Sequence, residues 1–280
     1  MSLGVAIKGP EGIVLAADSR VTIGAVMPGQ PSQIPIHYDN ATKVLSLSGR
    51  HRWVGAVTYG TALVGNRTVH SFLPEFEVSL GADDRLARVE EYAQKLSDFF
   101  SERWKESMPV SYQGPPLTVL VGGYDRDEPY GSVFVVEIPT RPVPQARNPG
   151  KGDFGITWGG QLEFASRLIH GYDPAIPALM VKHLGLGEEK VTAFLAEIKA
   201  QLEFKLPYGI LPLQDCVDLA TFLIRTTITA QSLAVGIRGV GGHIDVAVVT
   251  RTEGLRFVQR KQLHGEATLF SRKEDRHSRG

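Results

Sequence analysis

The sequence predicts an α+β fold in which two β-sheets are layered with helices. Three observations predict it. Strand-like apolar runs come both before and after groups of helices, each helical segment has one apolar side, and the two element types do not alternate strictly. Strict alternation would favour a doubly wound parallel sheet instead. The chain contains no internal repeat, so we predict one domain over residues 1–263 and a charged, flexible tail over 264–280.

The first elements are predicted to be strands. Leu3–Lys8 and Ile13–Asp18 are apolar runs separated by the turn sequence Gly-Pro-Glu-Gly, which predicts a hairpin buried on both faces. Residues 24–40 contain glycine and proline and are predicted to be a loop or a long connection. Lys43–Leu47 and Trp53–Thr58 predict a second pair of strands.

Helices are predicted next. Residues 83–105 carry apolar side chains at three- and four-residue spacing, which predicts an amphipathic helix. Residues 61–73 are a weaker helical candidate that Pro74 would end. Strands are then predicted to return at Leu117–Val121 and Ser132–Ile138.

The last third of the chain is predicted to contain more helices and a final hairpin. Residues 139–149 are rich in proline and are predicted to be a connection. The elements predicted after it are a strand at Phe154–Trp158, helices near Leu162–His170, Glu188–Phe204 and Asp215–Leu233, and a hairpin of His243–Thr250 with Leu255–Val258.

Composition excludes several classes of protein. The 30 basic and 30 acidic residues give a formal net charge of zero, which argues against a nucleic-acid partner. Cys216 is the one cysteine, so a disulfide framework is excluded. No apolar run is long enough for a membrane helix, and the N-terminus does not look like a signal peptide, so we expect a cytoplasmic protein. The histidines lack metal-ligand spacing, and we expect neither a metal site nor a cofactor.

The first hairpin can place a nucleophile beside a carboxylate. If its turn centres on Pro10, Ser2 lies opposite Asp18. Once Met1 is removed, Ser2 carries both a hydroxyl and a free α-amine, whose ordinary pKa of about 8 lets it act as a base near neutral pH. This combination is typical of an activated nucleophile. The alternative is that Ser2 is merely a small second residue.

Three segments resemble a known family. Residues 12–22, Gly-Ile-Val-Leu-Ala-Ala-Asp-Ser-Arg-Val-Thr, resemble the early strand pair of proteasome β-type subunits. Residues 120–125 are similar to the family's central strand, and residues 241–250 to its late Gly-Gly turn and strand. The chain is on this basis identified as a divergent prokaryotic homologue of the proteasome β-subunit-like N-terminal nucleophile (Ntn) hydrolases. The resemblance implies their four-layer αββα sandwich.

The resemblance also implies roles for single residues. Ser2, Asp18 and Arg20 match the family's spacing of nucleophile, carboxylate and arginine, with serine in place of the usual threonine. Lys43 matches a lysine that stabilises the developing alkoxide or takes the proton itself. The position whose backbone amide would hold the oxyanion falls at Val57, where the family usually has glycine. The bland alternative for Lys43 is a solvated lysine at the start of a strand.

The chain also departs from the family pattern. The family's supporting serine falls at Gln161, and its later supporting aspartate and serine fall within the apolar residues 235–240. Altered support around a nucleophile is costly to catalysis. Insertions are predicted at residues 24–40 and about 173–208.

The function that the resemblance implies is a peptidase that works through an acyl-enzyme at Ser2. Its substrate would be a peptide or an unfolded protein, and its assembly a homo-oligomeric ring or spiral that sequesters the sites. Whether an ATPase partner exists is left open. Two alternatives are a non-catalytic structural subunit of such a ring, and an Ntn amidase that acts on small amides.

Overall fold

The computed structural model describes residues 2–26, 33–81, 85–236 and 238–265. Most of the predicted tail therefore lies outside the described residues. The strands are β1 (Leu3–Lys8), β2 (Ile13–Asp18), β3 (Val21–Val26), β4 (Gln33–Tyr38), β5 (Val44–Ser46), β6 (Val54–Gly60), β7 (Leu63–Val64), β8 (Arg67–Thr68), β9 (Leu117–Gly123), β10 (Ser132–Ile138), β11 (Arg141–Arg147), β12 (Gly155–Gly160), β13 (Ile244–Thr250) and β14 (Gly254–Gln259). The α-helices are α1 (Leu73–Leu80), α2 (Val89–Ser107), α3 (Glu163–His170), α4 (Ile176–Leu184), α5 (Glu188–Leu202) and α6 (Leu213–Leu233).

The fold is mixed α/β and is built on antiparallel sheets. One five-stranded sheet has the order β12-β1-β2-β13-β14, and a second has the order β11-β10-β9-β6-β5. The strands β3 and β4 form a two-stranded sheet, as do β7 and β8. All residues of β1 and β2 are buried, as the unbroken apolar runs predict for strands that are covered on both faces.

Three apolar clusters form the core. One lies between the second sheet and the helices α1 and α2, and includes Phe76, Tyr92 and Phe100. Another lies between the first sheet and the helices α3 and α6. The third contains residues of both sheets, including Leu15 and Leu120. Each sheet therefore packs against helices with one cluster and shares the third cluster with the other sheet.

Three predicted segments differ from the structure, and in each case proline is involved. The region 24–40, predicted to be a loop, contains β4 and the end of β3. The predicted helix at 61–73 is wrong, because these residues contain β7, β8 and a 3₁₀ helix. Pro74 lies in the first turn of α1 instead of ending a helix, because that turn does not need the amide that proline lacks. The predicted connection 139–149 contains β11, which tolerates Pro142 and Pro144 because it is an edge strand.

The predicted register of the first hairpin was wrong by one residue. Gly4 pairs with Ala17 and Ile7 with Val14, whereas a turn centred on Pro10 would shift each partner by one. The amide of Gly9 donates to the carbonyl of Gly12 at 2.9 Å, which puts the centre of the turn after Pro10. Ser2 and Asp18 are therefore not direct cross-strand partners.

The predicted insertion at 173–208 contains α4 and α5. None of the residues of α4 is buried, and in α5 only Val191 and Leu195 are. The pair leaves large apolar side chains exposed, among them Leu184 and Phe194. Within the described ranges, no helix is long and apolar enough to cross a membrane.

Candidate active site

Asp18 lies at the end of β2 and joins three distant parts of the chain. Its Oδ1 accepts hydrogen bonds from the Leu3 amide at 3.0 Å and from Lys43 Nζ at 2.8 Å. Its Oδ2 accepts from the Arg20 amide at 3.1 Å and from the Gly241 amide at 3.0 Å. The side chain is fully buried, so these donors replace the water that an ionised carboxylate would otherwise bind.

Lys43 lies immediately before β5 and forms a buried ion pair with Asp18. The Lys43 side chain is 5 % exposed, which excludes the alternative of a solvated surface lysine. Its ammonium donates to Asp18 Oδ1 and, at 2.6 Å, to the Arg20 carbonyl oxygen. Burial lowers the pKa of Lys43, and the charge of Asp18 opposes that shift. An ammonium has three protons, so two of them account for these contacts.

Ser2 and Lys43 line the same small cavity. Its volume is about 10 Å³, and Ser2 is only 2 % exposed. A space of this size holds about one water molecule. The other residues that line it are Val21, Ala41, Thr42, Thr58, Tyr59, Thr61, Ala62, Thr68 and Val69. No hydrogen bond links the Ser2 hydroxyl to Lys43 within the described part of the chain, although both residues line the same space.

The main chain of Ser2 is held by the end of β12. The amide of Gln161 donates to the Ser2 carbonyl at 2.8 Å. Gly160 has a φ of +95°, and a Cβ at this position would collide with the Ser2 carbonyl oxygen. Gln161 also accepts a 3.4 Å hydrogen bond from Gln231, whose own side chain accepts from the Val240 amide at 2.9 Å. The two departures from the family pattern, at Gln161 and within 235–240, are thus linked through a glutamine pair.

Arg20 contributes to this arrangement through its backbone. Its guanidinium points to Asp39, to which it donates two hydrogen bonds of 2.6 Å, and it also donates to the Arg238 carbonyl at 3.1 Å. The hydrogen bond from Arg20 lowers the pKa of Asp39. The Arg20 side chain does not line the Ser2 cavity. Arg20 therefore stabilises the end of β2 through its backbone amide, which donates to Asp18.

Val57 lies in the core between the two sheets, and its side chain does not line the cavity. The next residue, Thr58, does line it, but its amide already donates to the Lys43 carbonyl at 2.9 Å. The Thr61 amide likewise donates to Pro116 at 3.0 Å. An oxyanion bound at this strand would need an amide other than those of Thr58 and Thr61.

Tyr59 is a cavity residue that the sequence analysis missed. Its ring occupies space beside Gly4 and Gly159, where a Cβ on either glycine would collide with it. Burial raises the pKa of Tyr59 to about 12. The paired glycines are the signal in the sequence that could have indicated a large side chain packed across β1 and β12.

A larger cavity of about 350 Å³ lies next to the Ser2 cavity and shares Thr61 and Ala62 with it. Its remaining lining comes from β3, the β7–β8 hairpin and the end of α2 with the residues that follow it: Thr22, Ile23, Gly24, Leu63, Gly65, Asn66, Ser107, Met108, Pro109 and Tyr112. Thr61 and Ala62 thus separate an open cavity from an enclosed one.

The chemistry available here is that of a hydroxyl beside a buried cation. A desolvated lysine can stabilise an alkoxide when charged or accept a proton when neutral. Among the described residues, no group of three or more histidine, cysteine, aspartate or glutamate side chains is placed to hold a metal ion.

Two solved structures are similar to this chain over nearly its whole length. One is Anbu (ancestral beta-subunit) from Yersinia bercovieri, with a TM-score of 0.53, 14 % identity and coverage of 99 % of this chain and 94 % of that one. The other is an Anbu (Gly-1) mutant from Hyphomicrobium sp. strain MC1, with a TM-score of 0.55, 13 % identity and the same coverage. No family model and no curated protein matches the sequence. At these identities the similarity shows the fold alone.

These findings correct the recognition made from the sequence. Identification as a proteasome β-subunit-like Ntn hydrolase was wrong, because the similar structures are Anbu proteins, which are proteasome-like but differ in fold arrangement. Two of the matching segments, residues 12–22 and 241–250, meet where Asp18 accepts a hydrogen bond from the Gly241 amide, whereas residues 120–125 begin within β9 of the second sheet. What the comparisons show is the fold that this chain has in common with the two Anbu structures.

Proposed function

We propose that this protein hydrolyses peptide bonds, with Ser2 as the nucleophile once the residue before it has been removed. The main support is that Ser2 and Lys43 line one buried cavity in which Asp18 holds Lys43. An N-terminal serine carries its own base, since an α-amine is partly neutral near pH 7.

The reaction would proceed through an ester. Ser2 Oγ attacks the carbonyl carbon of the peptide, and its proton passes to the Ser2 α-amine or to neutral Lys43. The peptide nitrogen leaves with a proton, and water then hydrolyses the ester and regenerates the hydroxyl. The lowered pKa of Lys43 favours the neutral amine, which is the form that can accept the proton from Ser2. A charged Lys43 would instead stabilise the alkoxide.

The peptide would approach through the larger cavity. At about 350 Å³ it is within the size range of ligand pockets, and it shares Thr61 and Ala62 with the cavity around Ser2. Productive binding requires that these two residues move aside, since the Ser2 cavity itself has no room for a carbonyl group.

The burial of Ser2 favours a second candidate function, that of a non-catalytic structural subunit. A buried Ser2 without a hydrogen bond to Lys43 among the described residues is also what a site used only for packing would look like. An amidase for small amides is the third candidate, and differs from the first only in the substrate that the larger cavity accepts.

The proposal includes a four-layer αββα arrangement and a homo-oligomeric ring or spiral. The layers are supported by the three apolar clusters, two of them between a sheet and helices and one shared by the sheets. Assembly is supported by the exposed apolar side chains of α4 and α5 and by the similarity to proteins described as ancestral β-subunits. Light scattering that finds only a 30.6 kDa monomer at micromolar concentration would contradict the assembly.

The deciding experiment combines intact mass with covalent labelling. Mass spectrometry establishes whether Ser2 is the first residue of the purified protein. A β-lactone probe then should add to Ser2, because a free hydroxyl opens the lactone to an ester. Short peptide amides, casein and small amides are tested in parallel as substrates.

Matched variants separate the candidates. Ser2→Ala should abolish labelling and leave the assembly unchanged, whereas Ser2→Thr should keep both. If wild-type protein with a free Ser2 is neither labelled nor able to cleave any substrate, the protein is a non-catalytic structural subunit. Cleavage of small amides alone would favour the amidase.

A further inference from the structure

A second buried ion pair lies beside the first. Lys261 follows β14, and its ammonium binds Asp245 of β13, while the Lys261 amide donates to the other carboxylate oxygen of Asp245 at 3.0 Å. The two side chains are 10 % and 2 % exposed. Burial of both groups makes this contact very different from the exposed ion pairs on the helices.

Ser19 connects the second pair to the first. Lys261 Nζ donates to the Ser19 hydroxyl at 3.4 Å, and Ser19 is fully buried between Asp18 and Arg20. The backbone of Ser19 is also fixed, since its amide donates to Gly241 and its carbonyl accepts from Ala41, both at 3.0 Å. Lys261 therefore binds Ser19, which lies between Asp18 and Arg20. The Asp18 carboxylate and the Arg20 carbonyl are the two groups that accept hydrogen bonds from Lys43.

We propose that Lys261 and Asp245 are positioning residues for Lys43. They hold Ser19, and thereby the Asp18 carboxylate and the Arg20 carbonyl, in place, and Lys261 adds a second positive charge beside Lys43. The role in catalysis rests on the proposed function, whereas the effect on Lys43 does not.

The charges around the two lysines determine the expected direction. Asp18 faces Lys43 from the end of β2 and Arg20 from the connection between β2 and β3. Burial lowers the pKa of Lys43, the charge of Asp18 raises it, and the charges of Lys261 and Arg20 lower it further. Lys261 is bound by Asp245, and both act electrostatically on His70, whose pKa is lowered by burial and by the charges of Arg260 and Lys261 and raised by the charge of Asp245. Removing the positive charge of Lys261 should therefore raise the pKa of Lys43, and removing the negative charge of Asp245 should lower it.

The test is an NMR titration of the full chain with ¹³C-labelled lysine, following the Lys43 Cε signal, assigned by its loss in Lys43→Met. Lys261→Gln keeps a hydrogen-bond donor for Ser19 and Asp245 but removes the charge, and should move the Lys43 midpoint to higher pH. Asp245→Asn should move it to lower pH. Lys261→Arg, which keeps the charge, should leave it close to wild type.

Lys8 is an internal control in the same spectra. It is also buried and bound to carbonyl oxygens, those of Asn148 and Gly150, but lies at the other end of β1. Its midpoint should not move in any variant.

The opposite signs keep the result decisive. A purely structural pair would change the melting temperature of both variants without moving Lys43, and that outcome overturns the inference, as do shifts of both variants in one direction. If one variant does not fold, the direction in which the other variant moves the Lys43 midpoint supports or overturns the inference. A wild-type Ser2 that resists the β-lactone overturns the proposed function only, because the titration of Lys43 is measured without any reaction at Ser2.

Discussion

Replacing Asp18 by alanine should destabilise the protein far more than replacing Lys43 by methionine. Asp18→Ala leaves a buried ammonium without its counter-charge and removes the acceptor of three backbone amides, those of Leu3, Arg20 and Gly241. Breaking a buried ion pair in this way costs roughly 3–5 kcal/mol. Lys43→Met removes two hydrogen bonds, those to Asp18 Oδ1 and to the Arg20 carbonyl, but it leaves the carboxylate with those three amide donors, so we expect a smaller cost, about 1.5–3 kcal/mol.

These costs translate into a measurable difference in melting temperature. In a domain of this size each kcal/mol lowers the melting temperature by about 2–4 °C, so Asp18→Ala should lower it by about 6–20 °C. Circular dichroism follows the melt, and urea unfolding gives the free energy of unfolding independently. Labelling of Ser2 by the β-lactone should be lost in both variants, which separates the effect on stability from the effect on reactivity.

A matched exposed pair is the control. Lys151 and Glu128 form an ion pair of 2.9 Å, nearly the same length as that of Lys43 and Asp18, but with side chains 74 % and 37 % exposed. Glu128→Ala should cost no more than about 1 kcal/mol. Equal destabilisation by Asp18→Ala and Lys43→Met, or a loss for Asp18→Ala no larger than that for Glu128→Ala, would refute the assignment of Asp18 as the centre of the hydrogen-bond network.

Three further predictions follow from single contacts. Gly160→Ala should displace the Ser2 carbonyl, abolish β-lactone labelling and lower the melting temperature more than Gly185→Ala, where φ is also positive (+63°) but a Cβ meets nothing within 4 Å. The carboxylate of Asp39, whose pKa is lowered by Arg20, stabilises the fold above its ordinary pKa of 3.8 and loses that effect as the pH falls through its folded value. The difference in stability between wild type and Asp39→Asn should therefore shrink as urea unfolding is repeated at pH 7, 4 and 2.5, and a constant difference would refute the pairing. The absorbance difference between wild type and Tyr59→Phe should titrate at a pH of about 12 and not at 10.

The regular elements could be predicted where local pattern and final environment agree. The bounds of β1 and β2 were predicted correctly because an apolar run buried on both faces has the same character in sequence and in structure. The prolines of β11 and Pro74 misled the prediction for the opposite reason. Their effect depends on whether a neighbouring strand or a preceding turn needs the missing amide, which a local pattern does not contain.

The residues of the candidate site could be predicted only in part. Ser2 and Asp18 were selected from the hairpin and Lys43 from the family resemblance, and the structure brings Asp18 and Lys43 into an ion pair, while the catalytic roles of all three stay predictions. Tyr59 is indicated only indirectly, by the paired glycines Gly4 and Gly159, and Lys261 carries no signal. Tyr59 reaches the site because β6 packs across β1 and β12, and Lys261 because it follows β14, the neighbour of β13, and neither packing nor strand order is visible in a local pattern.

The walls of the Ser2 cavity differ in how strongly they are held. Ser2 is continuous with β1, and Lys43 is fixed by a buried ion pair, so those walls open only if the first sheet or that pair breaks. Thr61, Ala62, Thr68 and Val69 instead belong to or flank β7 and β8, strands of two residues each, closed by hydrogen bonds such as the 3.4 Å contact from the Val69 amide to Ala62. Arg67 and Thr68 are exposed, whereas Val64 and Val69 anchor the segment in the apolar cluster under α1 and α2, so local opening is expected at β8 before β7. This same segment also lines the larger cavity, so under the proposed function the access of a substrate to Ser2 would depend on the β7–β8 hairpin more than on the first sheet.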